Sequence, residues 1–177
     1  MTARAIAFLV LLSGCADKGS KLTDEQVVKY IAAYKNLKAA GPELADQARK
    51  GAGLVGKAGV DEAVTKAGFT SYAEFVKVNA KVAWAFSNGQ ATAFMDDTAT
   101  KVSDGEKQLQ AAIADPNTPE AAKGELRQAL TRMRADYAKN KGYADVAMSV
   151  SDKLTDKEDV ATVMRHKAEL EAAFQGR

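Results

Sequence analysis

The chain has 177 residues, of which 25 are lysine or arginine and 23 are aspartate or glutamate, so its formal charge is +2 with histidine neutral. The two signs are interspersed rather than blocked, which argues against the basic patch expected of a protein that binds nucleic acid. A single cysteine excludes an internal disulfide framework, and the length is that of one ordinary domain that an apolar core can stabilise.

The first residues have the composition of a secretory signal peptide. Arg4 is the one charge before an apolar run from Ala5 to Leu12. This run is shorter than the roughly 20 residues that a membrane-spanning helix needs. A charge, a short apolar run and then small residues are the order found in signal peptides. The run ends in the tetrapeptide Leu12-Ser13-Gly14-Cys15.

This tetrapeptide resembles the lipobox of bacterial lipoproteins. The resemblance implies that residues 1–14 are removed as a signal peptide and that Cys15 is acylated on its thiol and on its new amine. Residues 15–21 would then be a lipidated tether that attaches the protein to a membrane, and residues 22–177 the folded domain.

The residue after the cysteine bears on the destination of the anchor. Ala16, rather than aspartate, follows Cys15. By resemblance to proteobacterial lipoproteins, this favours the outer membrane, with the protein facing the periplasm. The alternative for the whole N-terminus is an ordinary cleaved signal, or a buried N-terminal helix, with an incidental cysteine.

The remainder of the chain is predicted to be all-α. It is rich in alanine, the best helix former, and lacks a sustained alternation of β-branched and aromatic residues bounded by turns. Thr23 and Gln26 form a predicted capping box for a first helix that ends at Gly41, and Pro42 opens the second. A short helix around Val60–Ala67 follows.

The strongest predicted helix begins at the capping box Ser71-Tyr72-Ala73-Glu74. The remaining predicted boundaries are a break or kink at Asn88-Gly89, a restart at Ser103, a start at Pro119, a stop near Gly142, a short helix over Tyr143–Leu154 and a last start at Thr155. The sequence thus predicts a single bundle of about five to seven helices.

A glycine-rich stretch, Gly51-Ala52-Gly53-Leu54-Val55-Gly56, matches the GxGxxG spacing of dinucleotide-binding loops. That motif needs a preceding strand and a following helix, and here the preceding residues are polar and helical in character. A glycine-rich turn or a close approach of two helices is the favoured interpretation, and a membrane-touching loop is a further one.

Catalytic and metal-binding patterns are weak. His166 is the only histidine, so no site with two imidazoles exists, and the only cysteine is assigned to lipid. The adjacent carboxylates Asp96 and Asp97 would diverge by about 100° on a helix. The sequence therefore predicts neither an enzyme nor a metal or haem protein, and it implies no cofactor.

One group of side chains on the main helix is predicted to be either solid core or the lining of a pocket: Tyr72, Phe75, Asn79, Trp84 and Phe86. Asn79 is the polar member, and it either fixes helix register, as buried asparagines do in coiled coils, or points into a ligand cavity.

The expected function is a membrane-anchored, non-enzymatic helical module that binds an envelope protein or other envelope component. The alternative is a carrier of a small ligand or cofactor held between helices near Trp84. An enclosed apolar pocket would favour the carrier, and an exposed apolar patch of several hundred Å² would favour the interaction module. The partner and the oligomeric state are not determined by the sequence.

Overall fold

The computed structural model describes residues 20–49 and 59–175. The predictions for the signal peptide, for Cys15 and for the glycine-rich stretch Gly51–Gly56 lie outside the described residues.

Seven helices and no strands make up the described part of the chain, which confirms the all-α prediction. No helix in this part is long and apolar enough to cross a membrane. The helices are α1 (Asp24–Ala40), α2 (Pro42–Arg49), α3 (Val60–Lys66), α4 (Tyr72–Ala114), α5 (Glu120–Leu154), α6 (Lys157–Arg165) and α7 (Lys167–Gln175).

These helices belong to two compact units, whereas the sequence predicts a single bundle. The first unit contains α1 to α3, α4 up to Phe86, and α6 with α7. The second unit contains α4 from Ser87 onward together with α5. The unit boundary therefore falls inside one continuous helix.

The predicted start of α1 is confirmed in detail. The hydroxyl of Thr23 accepts a hydrogen bond from the Gln26 N–H at 3.2 Å, and the Gln26 side chain accepts one from the Thr23 N–H at 3.1 Å. At the other end, the Gly41 N–H donates to the Leu37 carbonyl and Pro42 begins α2. Both ends are local signals, which is why the sequence alone places them.

The start of α4 differs from the prediction in one half of its capping box. The Glu74 N–H donates to the Ser71 hydroxyl at 3.2 Å, as expected. The Glu74 carboxylate accepts instead from the backbone N–H of Thr70 at 2.8 Å and from its hydroxyl at 2.6 Å. At α6 the capping residue is Asp156 rather than Thr155, since the Asp156 carboxylate accepts from the Glu158 N–H.

Three predicted boundaries are wrong. Helix α4 runs without a break through Asn88-Gly89 and through Ser103, and α5 runs through Gly142 to Leu154. Conversely, the sequence predicts a single last helix where the structure has two, since α6 ends before His166 and α7 begins after it. Glycine lowers helix stability by only about 1 kcal/mol, so the helix-favouring residues around it can keep a long helix continuous.

The first unit encloses an apolar core to which α1 contributes most. One face of α1 is buried, at Val27, Tyr30, Ile31, Ala33, Tyr34 and Leu37. Residues of α3, the first part of α4 and α6 and α7 complete this core, among them Val64, Phe75, Val82, Val163 and Leu170. Most of these side chains are less than 2% exposed, which is the packing expected of a well-closed domain interior.

The second unit is a helical hairpin. The turn at residues 115–119 joins α4 to α5, and there the Asp115 carboxylate accepts from the Asn117 N–H at 2.8 Å. Farther along, Arg134 forms an ion pair with Glu106 at 3.1 Å. From Gln90 to Val150, all of which the structure describes, no residue is buried.

Candidate functional sites

A row of aromatic rings runs through the first unit and includes most of the predicted pocket or core group. Phe75 lies at its centre, stacked on Tyr30 with 5.8 Å between ring centroids and edge-on to Phe69 at 5.5 Å. Tyr72 lies 6.0 Å from Phe75 on another side. Phe75 is 1% exposed, so around it the rings themselves fill the interior.

The row continues from α1 into α7. Tyr34 packs edge-on to Phe174 at 5.0 Å, and Phe174 packs edge-on to Phe86 at 5.6 Å. Trp84 is half-buried and contacts no other ring among the described residues. The helical spacing of Tyr72, Phe75 and Phe86 therefore identified three of the seven rings in this row, and it missed the α7 contribution because Phe174 lies far along the chain.

Asn79 is buried, with 3% of its surface exposed, and it contacts the end of α2. Its side-chain amide donates to the Ala48 carbonyl at 3.1 Å. This bond satisfies a carbonyl in the last turn of α2, which has no partner within its own helix. The Asn79 Oδ1 atom has no hydrogen-bond partner in the described part of the structure.

The segment just before α1 is attached to the first unit by polar contacts. The Leu22 N–H donates to the buried carboxylate of Asp159 at 2.6 Å, and Lys21 pairs with Glu158 at 2.6 Å. The ammonium of Lys81 donates to the Ser20 carbonyl. We call residues 20–22 the docked segment. Sequence periodicity missed Asp159, because nothing in its spacing indicates a partner that lies 137 residues earlier.

The only histidine lies among carboxylates at the junction of α6 and α7. His166 Nε2 is 2.9 Å from an oxygen of Asp24, and His166 Nδ1 is 3.3 Å from an oxygen of Glu169. Arg165 makes two bonds to the same Asp24 carboxylate, at 2.8 and 3.2 Å. The hydrogen bond from Arg165, followed by that from His166, lowers the pKa of Asp24 below its ordinary value of 3.8.

This cluster joins the start of α1 to α6 and α7 and has no arrangement suited to a metal ion. Across the described residues, no three histidine, cysteine, aspartate or glutamate side chains are grouped so that they could hold one. The adjacent carboxylates Asp96 and Asp97 do not form a site of convergent carboxylates either. Asp96 and Asp97 are both exposed, and Asp97 pairs with Lys101 one turn away at 2.6 Å.

The second unit carries an exposed apolar surface that periodicity did not single out. Tyr143, Val146 and Val150 recur at the i, i+3, i+7 spacing of one face of α5, and they are 68%, 67% and 56% exposed. Phe94 on α4 is 68% exposed. We call these four residues the apolar stripe. Only one other large apolar residue among those described is comparably exposed, Val28 in α1.

Comparison with known proteins identifies no relative. No family model, no curated protein and no solved structure matches the chain. The function is therefore inferred from the residues described above.

Proposed function

We propose that this chain is a lipid-anchored protein of the bacterial envelope that binds another protein through its helical hairpin and catalyses no reaction. The observation that carries the proposal is the apolar stripe. Singly scattered exposed apolar residues are normal, but here four of the five described ones lie on one hairpin, and three share one helix face. Exposed apolar surface of this kind marks interaction sites.

The anchor is proposed from the sequence Leu12-Ser13-Gly14-Cys15. The docked segment supports an N-terminal attachment, since Ser20, five residues after Cys15, already contacts the first unit. An acyl chain on Cys15 would then hold the folded part at a membrane surface through a short connection.

The closed interior of the first unit supports binding on the surface rather than carriage of a ligand. Phe75 is surrounded by Tyr30, Phe69 and Tyr72, and the rings leave the centre of the unit filled. A carrier for a drug-sized ligand would need a concave cavity of several hundred Å³.

The anchor is tested by intact mass spectrometry of the protein purified from membranes. We expect loss of Met1–Gly14 and a gain in mass that corresponds to acyl chains on Cys15. Cys15→Ser should abolish the acylation and leave the chain uncleaved or mislocalised. A mature chain that begins elsewhere and keeps a free thiol at Cys15 would refute the anchor.

The binding surface is tested with a photo-crosslinking amino acid placed at Val146 in the membrane-anchored protein. We expect covalent adducts with protein at Val146. The matched control is the same amino acid at Val28, which is also an exposed apolar helix position but lies in the first unit. Equal adducts at both positions, or none at Val146, would contradict a binding role for the hairpin.

A second candidate, the carrier of a small ligand near Trp84, is favoured by one observation. The Asn79 Oδ1 atom is a buried acceptor without a hydrogen-bond partner in the described part of the fold. A ligand with an N–H or O–H group would satisfy it. Its test is a titration of Trp84 fluorescence with a lipid extract of the native envelope, with Asn79→Leu as the control. A saturable change that Asn79→Leu removes would support the carrier.

A further inference from the structure

We infer that the apolar stripe binds a second copy of this chain, so that two hairpins pair about a two-fold axis parallel to their helices and form a four-helix bundle. This inference rests on the proposed function, since it names the partner of that same surface. It follows from three properties of the hairpin, namely its unclosed interior, the area of the stripe, and the charges of its two helices.

The hairpin by itself does not enclose a core. Apolar side chains that recur at intervals of three, four or seven residues along its two helices are only half-buried: Met95, Val102, Leu109, Leu126, Leu130, Met133 and Tyr137. Two helices leave such a seam open along both edges. Four helices close it, because bundles made of helical hairpins bury apolar positions spaced three, four or seven residues apart. A second hairpin laid on the first would therefore cover side chains that one copy cannot cover.

The stripe has the area that a dimer needs. The exposed fractions of Phe94, Tyr143, Val146 and Val150 correspond to about 450 Å² of apolar surface, if full side-chain areas are about 150–220 Å². A self-complementary contact buries this area on both copies, which is about 900 Å². Because interfaces are about 57% apolar, the total would be about 1,600 Å², the size of a standard stable interface.

The charges of the two helices favour pairing of unlike helices between copies. From Ser87 to Ala114, α4 carries four acidic and two basic residues, a net charge of −2. Helix α5 carries seven basic and five acidic residues, a net charge of +2. A two-fold axis parallel to the helices places α4 of each copy over α5 of the other, so that opposite net charges face each other.

The same axis brings the two stripes to one level. Three stripe residues lie in the part of α5 after Gly142, and Phe94 lies in the part of α4 that is likewise far from the turn at residues 115–119. Rotation about an axis parallel to the helices leaves this level unchanged. Phe94 of one copy then lies over Tyr143 and Val146 of the other, and both contacts occur twice.

The test is the mass of the full, acylated chain in detergent, measured by sedimentation over a concentration series. We expect a dimer for the natural sequence. Val146→Glu should raise the dimer dissociation constant about tenfold or more, since it places two like charges in the interface. Val28→Glu, the matched control in the first unit, should leave the constant unchanged. Circular dichroism should be the same for all three proteins, because both positions are exposed.

A second measurement checks the predicted arrangement. Chains with Phe94→Cys mixed with chains with Tyr143→Cys should form a disulfide between copies in the membrane, whereas chains with Lys107→Cys should not. A natural chain that stays monomeric up to about 100 μM, or a dimer that Val146→Glu does not weaken, would overturn the inference.

The outcomes separate this inference from the proposed function. Photo-adducts at Val146 with a different protein, together with a monomeric mass, would overturn the dimer and leave the proposed binding function standing. Adducts at Val146 with lipid alone would overturn both. Adducts with twice the mass of the chain would support both.

Discussion

The two units of this protein use similar helices in opposite ways. In the first unit, twenty of the described apolar residues are buried, and the aromatic row from Phe69 to Phe174 fills its centre. In the second unit, nothing from Gln90 to Val150 is buried, although its helices are longer. Burial therefore depends less on the apolar spacing of one helix than on how many helices meet around it. A unit with a closed interior buries its own apolar residues, and a unit with an open one leaves them exposed.

The largest effect should come from removing the same side chain in each unit. Phe75→Ala should lower the free energy of unfolding by about 3–5 kcal/mol, because it removes a ring that is 1% exposed and contacts three others. Phe94→Ala should change it by less than about 0.5 kcal/mol in the monomer, since Phe94 is 68% exposed. Urea denaturation at low protein concentration measures both values. Similar losses for the two variants would contradict the contrast between the units.

Glycine-to-alanine changes sharpen the contrast at a smaller scale. Gly68 in the first unit has φ of +95°, so Gly68→Ala should destabilise by about 1–2 kcal/mol. Gly142 in the second unit lies inside α5, and a Cβ there would meet nothing within 4 Å. Gly142→Ala should therefore stabilise by about 0.5–1 kcal/mol. Thermal unfolding followed by circular dichroism should move the two melting temperatures in opposite directions.

The smallest effect concerns acid sensitivity in the first unit. The bonds from Arg165 and His166 lower the pKa of Asp24 below 3.8, so its ionised form stabilises the fold above that pH. This contribution is lost as the pH falls below 3.8 through the lowered pKa. The difference in stability between the natural chain and Asp24→Asn should shrink as the pH falls below 3.8. If this stability difference instead increased on acidification, the predicted direction of the pH effect would be wrong.

The control for this acid effect lies in the second unit. Asp96 is exposed and has no ion-pair partner among the described residues. Asp96→Asn should therefore change the stability of the monomer by less than about 0.5 kcal/mol at neutral pH.

Much of the fold could be predicted from local signals. The capping box at Thr23 and the end of α1 at Gly41 are decided within one helical turn, and they are as the sequence predicts. The predicted breaks at Asn88-Gly89 and Gly142 are wrong, because one glycine costs only about 1 kcal/mol in a long helix whose other residues favour helix. No glycine or proline lies at the break at His166, so local sequence signals do not predict it. It is held by Asp24, which lies 142 residues earlier.

The sequence predicts less about the candidate sites than about the fold. Helical spacing correctly grouped Tyr72, Phe75 and Phe86 on one helix, but it did not reveal whether a neighbouring helix covers a given face. For the same reason, the stripe residues Tyr143 and Val146 looked like ordinary residues of a short helix. Only the contacts of the whole fold distinguish an apolar face that is covered from one that is open.

The docked segment limits the distance between an acylated Cys15 and the folded protein. Ser20 and Leu22 contact the first unit, and five peptide steps separate Cys15 from Ser20 in the sequence. At about 3.5 Å per residue, this connection reaches at most about 17 Å. With the proposed acyl chains in a membrane, every copy would be confined to one thin layer of solution above the lipid. Confinement raises the effective concentration of each copy for the next, so an encounter that is weak in dilute solution becomes frequent on the membrane.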